Sequence, residues 1–292
     1  MSVSPHKFGL IRRMALVFGA LWAFTTPHPV HSGETLTLTF GVYQSDKATV
    51  MYRKFVPVLE YLQESMEGQL QRSVDIHLKI FKGYEEANDA IVAGSVDFVR
   101  FGPASYIKAK QRNDQLNLLA QEVRDGKNYF HGVVIVPAAS QATSLKDLVG
   151  GRFAFGNPNS TIGRFLAQGE LVQAGVQGRD LAAYDYLGRH DVVFKAVALG
   201  DYDAGAVKET TLHRYNKQGV VRVLHTFSND TKPWIGRAGL DTTVTQAIGK
   251  ALFQLKSPDI LKELKVTGFQ PVTDTVFNPL REKIALSAQF GS

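Results

Sequence analysis

Between residues 35 and 43 polar and apolar side chains alternate, Thr35, Thr37 and Thr39 against Leu36, Leu38 and Phe40, before Gly41-Val42-Tyr43. A period of two predicts a strand. From Val50 to Met66 the period becomes helical, with Phe55, Val56, Leu59 and Leu62 on one side. Val74 to Ile80 alternates again and a helix follows near Tyr84 to Ala93. Strand, helix, strand, helix is the signature of a sheet with crossover helices, hence a largely parallel one.

The plan then repeats. Ala90 to Val99 and Ala196 to Gly205 share one layout: a helix, a glycine, two residues, an aspartate and a short apolar strand. Gly94 and Gly200 suit the left-handed position that closes a helix. Two similar α/β lobes are implied. Between the copies lie a buried strand over Gly132 to Val136 and a short helix from Ser144 to Leu148. Next comes Phe153-Ala154-Phe155-Gly156-Asn157-Pro158-Asn159-Ser160-Thr161, a strand running through turn residues into the helix predicted for Ile162 to Val172. Unpaired N–H groups and the positive end of the helix dipole, beside the hydroxyls of Ser160 and Thr161, make an oxyanion cradle. A plain helix cap by Asn159 or Ser160 accounts for the same residues.

Strands at Ala183 to Tyr186 and Val220 to Leu224 and a helix over Asp191 to Leu199 complete the second lobe. From Thr242 onward the pattern is helical, through Val244, Ile248, Leu252, Leu255, Leu261 and Leu264 to a tail near Pro279 to Ala288. With no sheet of their own, these helices are expected to return to the first lobe. The expected domains are an export signal over 1–32, lobe 1 over 33–133 and 237–292, and lobe 2 over 134–236.

Composition narrows the class. The 292 residues are 44% hydrophobic and 21% charged, which excludes disordered and fibrous classes. Lys7, Arg12 and Arg13, the apolar run Met14 to Phe24 and Val30-His31-Ser32 before Gly33 have the grammar of a secretory signal, with cleavage expected after Ser32 and a periplasmic location. Taking those three cations off the 33 basic residues leaves 30 against 27 acidic, about +3, too mild to argue for nucleic acid. The absence of cysteine excludes disulfides, thiolate metal sites and cysteine nucleophiles.

Three stretches now resemble a known family. They are Val96 to Tyr106, reading Val-Asp-Phe-Val-Arg-Phe-Gly-Pro-Ala-Ser-Tyr, then Phe155 to Thr161, then His190-Asp191 with Lys195-Ala196-Val197 and Gly200 to Val207. In order and spacing they are similar to the periplasmic substrate-binding proteins of phosphonate, phosphite and phosphate ABC transporters. The resemblance implies an α/β, two-lobed type II periplasmic binding protein, each lobe a mostly parallel sheet flanked by helices, with the ligand in the interlobe cleft. It implies a monomer without cofactor that closes on a small oxyanion and delivers it to a membrane permease. By motif, Ser160 and Thr161 fall where the family holds the phosphoryl oxygens, and His190 falls on a further donor. Tyr43 and the stretch Phe101 to Tyr106 face the ligand from the first lobe, with Tyr106 a hydroxyl donor. Two positions depart from the pattern: Ile162 replaces a third hydroxyl, and Trp234-Ile235-Gly236-Arg237 stands where aminophosphonate binders place an acid.

Three other readings use the same residues. Ser160, His190 and Asp203 supply a nucleophile, a base and an orienting carboxylate, but no Gly-x-Ser-x-Gly elbow surrounds any serine. His131, His190, His213 and His225 have no metal-ligand spacing. Presentation of the closed form to a membrane sensor kinase needs the same fold as transport. For the ligand, an acid facing the cleft from Asp203, Asp230 or Glu209 would welcome an ammonium group, whereas Arg237 would repel it and attract a second negative group. The expectation is therefore a small oxyanion, or one with an apolar or anionic appendage, and not an aminoalkylphosphonate.

Overall fold

The computed structural model describes residues 34–45 and 47–291, so the expected export signal at 1–32 lies outside the described residues. β1 (Leu36–Tyr43), α1 (Ala48–Leu70), β2 (Val74–Phe81), α2 (Tyr84–Val92) and β3 (Phe98–Arg100) form the crossovers, with β1 parallel to both β2 and β3. The alternation of β1 points Leu38, Phe40 and Val42 at the apolar stripe of α1, Met51, Phe55, Leu59 and Leu62. Burial of this face, at about 25 cal/mol per Å² of apolar surface, selects the register. α3 (Pro103–Arg112) and β4 (Asn117–Val123) follow, and the chain then leaves this lobe.

The second lobe contains β5 (Tyr129–Pro137), β6 (Arg152–Phe155), α4 (Ala167–Gln173), β7 (Ala183–Tyr186), α5 (His190–Ala198), β8 (Ala204–Lys208), α6 (Glu209–Tyr215) and β9 (Val221–Asp230). Its sheet order is β7-β6-β8-β5-β9. Gly94 and Gly200, the repeated helix-closing glycines, both have left-handed φ, +71° and +79°.

The return to the first lobe differs from the sequence expectation in three ways. β10 (Pro233–Gly236) inserts between β3 and β4, antiparallel to both, so it belongs to the first sheet and not to a second lobe ending at 236. With β11 (Gly268–Gln270) on its edge, that sheet reads β11-β4-β10-β3-β1-β2. Both sheets are consequently mixed: in the second, β5 runs antiparallel to β8 and β9. Strands that arrive from the other lobe enter at the cleft end and must run against the crossover strands. Third, α7 (Thr242–Gln254) and α8 (Pro258–Leu264) cover the first lobe, but α9 (Asn278–Ala288) docks on α4 of the second. Lys283 pairs with Glu170 at 2.7 Å, Ser287 Oγ donates to Gln168 at 2.7 Å, and Phe290 sits edge-on to Phe155 and Tyr184. The range 237–292 is thus shared between the lobes.

Two strands cross side by side at 124–128 and 231–232. Thr231 N–H donates to the Asn128 carbonyl at 2.8 Å, and Glu122 N–H to the Lys232 carbonyl at 3.1 Å. Next to this crossing, Glu122 is fully buried and held by Arg100 through two hydrogen bonds, one of them Nη2 to Oε2 at 3.0 Å, while Trp234 Nε1 lies 3.4 Å from Oε1. Burial drives the Glu122 carboxyl up, yet Arg100, Arg124 and Lys232 together hold it below the usual carboxylate range. Removing one partner of such a pair strands a buried charge. Arg100→Met is expected to lower stability by about 3 to 5 kcal/mol, with Arg100→Met/Glu122→Leu recovering most of it, as measured by urea unfolding followed through Trp234 fluorescence. A loss below about 1 kcal/mol in the single variant would mean that the pair does not hold the crossing.

Candidate functional site

The carboxyl ends of β1 and β3 deliver Tyr43 and the Phe101-Gly102-Pro103 turn to the cleft. The Tyr43 hydroxyl accepts from Gly102 N–H at 2.8 Å, and Phe101, fully buried, packs 5.8 Å from the Tyr43 ring. Tyr84, the first residue of α2, stacks on Tyr43 with centroids 3.9 Å apart. From the second lobe, the turn after β6 starts a helix over Thr161–Leu166 in a wide π turn, Ser160 carbonyl accepting from Arg164 and Phe165 N–H. Gly156 and Gly163 approach so closely that a Cβ on Gly163 would lie 2.8 Å from Gly156 Cα. Ser160 Oγ caps this helix by accepting from Gly163 N–H at 3.0 Å, so the plain capping role is real. It is also near the Tyr84 hydroxyl, whose ionisation is pushed well up by burial and by Tyr43 and eased by Ser160.

The lobes meet here. Ala104 N–H, at the N-terminus of α3, donates to Thr161 Oγ1 at 3.1 Å, and Lys108 Nζ donates to Asn159 Oδ1 at 2.8 Å on the rim. His190 starts α5. Four helix N-termini therefore converge, those of α2, α3, α5 and the helix at Thr161, and their dipoles sum to a positive potential.

Two lysines join them. Lys232 lies on the crossing, its Nζ 3.5 Å from the Tyr43 hydroxyl, and Lys208 ends β8. Burial holds the Lys232 ammonium well below its ordinary range, and Arg100 and Lys208 push the same way. Burial, reinforced by Lys208, lowers His190 to about 3. The carboxylates that bear on these two groups are both engaged: Glu122 is held by Arg100, and Asp191 is bound to Arg189 at 2.9 Å and by a second, shorter contact.

Of the residues singled out from the sequence, Tyr43, Ser160, Thr161 and His190 come together. Phe101 lies behind Tyr43 as a wall. Tyr106 points away, its hydroxyl donating to Asp274 Oδ1 at 2.6 Å and its ring on Phe277, because it lies on the face of α3 turned to the segment leading into α9. Asp203 precedes β8 and accepts from Arg152 N–H at 2.7 Å; the start of a strand parallel to β6 is the end remote from the cleft. Arg237 follows β10, which runs opposite to β3, and so it lies beside Asp97 at the start of β3, 2.9 Å from Oδ1. Tyr84, Lys208 and Lys232 were not read from the sequence. Gly83 before a predicted helix was the one local signal for Tyr84, and the lysines gave none.

Two α/β lobes joined by paired crossing strands around a cationic, hydroxyl-lined cleft have the make-up of a periplasmic solute-binding protein. Residues 40–277 match the family model described as ABC transporter, phosphonate, periplasmic substrate-binding protein, and the chain belongs to that family. A curated relative, the probable ABC transporter phosphite binding protein PhnD1 of Prochlorococcus marinus strain MIT 9301, is 26% identical over 238 residues, 76% of this chain and 78% of the relative. Among solved structures, XAC2383 from Xanthomonas citri bound to chloride superposes with a TM-score of 0.75 at 23% identity, covering 87% of this chain and 98% of that one. PhnD1 from Prochlorococcus marinus in complex with methylphosphonate gives 0.71 at 21% identity, covering 85% and 96%. The protein is a periplasmic substrate-binding component of an ABC transporter and not an enzyme. The hydrolase reading ends there, and Asp203 sits at the wrong end of its strand to serve it.

A Cβ at Gly102 would lie 2.9 Å from the Tyr43 hydroxyl and 3.2 Å from Thr161 Oγ1, between donors of the two lobes, at a backbone φ of −73° that alanine adopts readily. Gly102→Ala is therefore expected to leave the melting temperature within a few degrees and to weaken anion binding by about tenfold or more, about 1.4 kcal/mol. Calorimetric titration checks it, and unchanged affinity would move the site away from Gly102.

Proposed function

We propose that this binding protein captures a small phosphorus oxyanion, a phosphonate or phosphite, between Tyr43, Tyr84, Ser160, Thr161, His190, Lys208 and Lys232. The observation that carries the reading is the positive character of the cleft: Lys232 and four helix N-termini, with Glu122 and Asp191 already engaged by Arg100 and Arg189. Half-buried cations of this kind are stabilised by an oxyanion that accepts from them, each charge-assisted hydrogen bond contributing roughly 1.5 to 3 kcal/mol. The relatives support the same class, since one is described as a phosphite binding protein and another is seen with methylphosphonate. Closure about the crossing brings donors from both lobes onto the anion and presents the closed form to the permease. The protein acts in this as a monomer.

An aminoalkylphosphonate is disfavoured by residues other than Arg237. Arg237 is neutralised by Asp97 and takes no part. Lys232, Lys208 and Arg100 supply the repulsion instead, and Glu122, the buried carboxylate that bears on Lys232, is already held by Arg100. Methylphosphonate and phosphite are expected to bind at least tenfold more tightly than 2-aminoethylphosphonate in calorimetry, and Lys232→Met should weaken the first two by about ten- to a hundredfold. Small-angle scattering should show the radius of gyration falling on addition of methylphosphonate. Tightest binding of the aminophosphonate, or full affinity in Lys232→Met, would contradict this reading.

A further inference from the structure

His190 is the group in the cleft whose chemistry remains unspent. Its Nδ1 is buried and has no hydrogen-bond partner among the described residues. The groups that bear on the ring are Lys208 and the Ala206 carbonyl from β8, Lys232 from the crossing, and Asp191 on its own helix, already bound to Arg189. Two cations thus face the imidazole and its one neighbouring carboxylate is taken. In that company the ring stays neutral at neutral pH, as burial and Lys208 dictate by lowering it to about 3. The Ala206 carbonyl takes the one N–H of the neutral ring, so Nδ1 is left as an acceptor, and the oxygens of a fully ionised oxyanion are acceptors only. Two acceptors do not meet without a proton between them.

We propose that His190 captures the anion together with one proton, shared between its ring and a ligand oxygen, so that the site selects oxyanions able to carry a proton near neutral pH. The inference rests on the reading of the cleft as a phosphorus-oxyanion site. The proton balance is simple. A monoanion brings its own P–OH, and none is taken from solvent; a dianion is bound with one proton drawn from solvent. Phosphorus oxyacids lose their second proton near neutral pH, at about 6 for a phosphomonoester. A sulfonate carries no proton in this range, so His190 itself must be protonated against Lys208 and Lys232. The structure therefore contains a device that favours phosphonate over sulfonate of the same shape.

The test is calorimetric titration of the purified mature protein with methylphosphonate and with methanesulfonate, in buffers of different ionisation enthalpy, at pH 5.5 and pH 8. Expected for methylphosphonate is proton uptake equal to the dianion fraction of the free ligand, about none at pH 5.5 and more than half a proton per anion at pH 8, with affinity falling about tenfold per pH unit well above the ligand's second ionisation. Methanesulfonate should bind at least tenfold more weakly, with uptake of about one proton at both values. His190→Leu should abolish uptake, while Lys232→Met and Asp230→Asn should retain it; the Asp230 control is needed because burial raises that carboxyl to about 6. Methylphosphonate binding by the wild-type protein at pH 8 without proton uptake would overturn the proposal and leave the site assignment standing. Uptake that survives His190→Leu but vanishes in either control variant would place the proton elsewhere and also overturn it. Failure of every anion to bind at either pH would remove the site reading and the proposal with it.

Discussion

The buried carboxylate of Glu122 is the constraint around which both fold and cleft are arranged. It lies next to the place where the two strands cross, and desolvating it is tolerable only because Arg100 grips it with two hydrogen bonds. That pairing engages the buried carboxylate of the crossing, Arg124 Nη2 stands 3.8 Å from its Oε2, and Lys232 remains beside it as a further cation. Stability and function thus share a charge balance: the crossing is held by an ion pair, and the cations left over set the sign of the ligand. A second carboxylate near Lys232 would quieten the cleft electrostatically and remove its reason to bind an anion.

Closure has its own physical parts. The cross-lobe contacts are short and polar, Ala104 N–H to Thr161 Oγ1 and Lys108 to Asn159, which lets them form and break without exposing much apolar surface. Lys108 Nζ also sits 5.1 Å from the centroid of the Phe165 ring, a cation–π contact with the second lobe. A third connection runs through the segment at 271–277, where Asp274 accepts from both Tyr106 and Arg281, 2.6 Å each, before α9 docks on α4. A helix that follows the first lobe in sequence is thereby carried by the second. The hydroxyl of Tyr106 serves this strap and not the ligand.

The parts of the site legible in the sequence were those whose position follows from local chemistry. A strand, turn residues and a hydroxyl pair at a helix start fix Ser160 and Thr161 whatever the rest of the chain does. The repeated glycines at 94 and 200 marked two lobes because αL backbone is a local requirement. Lys208 and Lys232 were invisible because a lysine becomes a buried charge through tertiary packing alone. Asp203 and Arg237 were misplaced for a different reason: in a sheet, a residue's nearness to the cleft depends on which end of its strand it occupies. For Arg237 that end is reversed by the antiparallel entry of β10, which no local pattern announces. The C-terminal helix was misassigned on the same ground, since an apolar stripe does not say which lobe it covers.

The most direct measurement is a crystal structure of the mature protein with methylphosphonate. The account predicts phosphoryl density between the lobes, within hydrogen-bonding distance of Thr161 Oγ1, the Tyr43 or Tyr84 hydroxyl, His190 and Lys232. Density against Arg237 and Asp97 or beside Asp203, with the cleft around Lys232 containing only water, would contradict it.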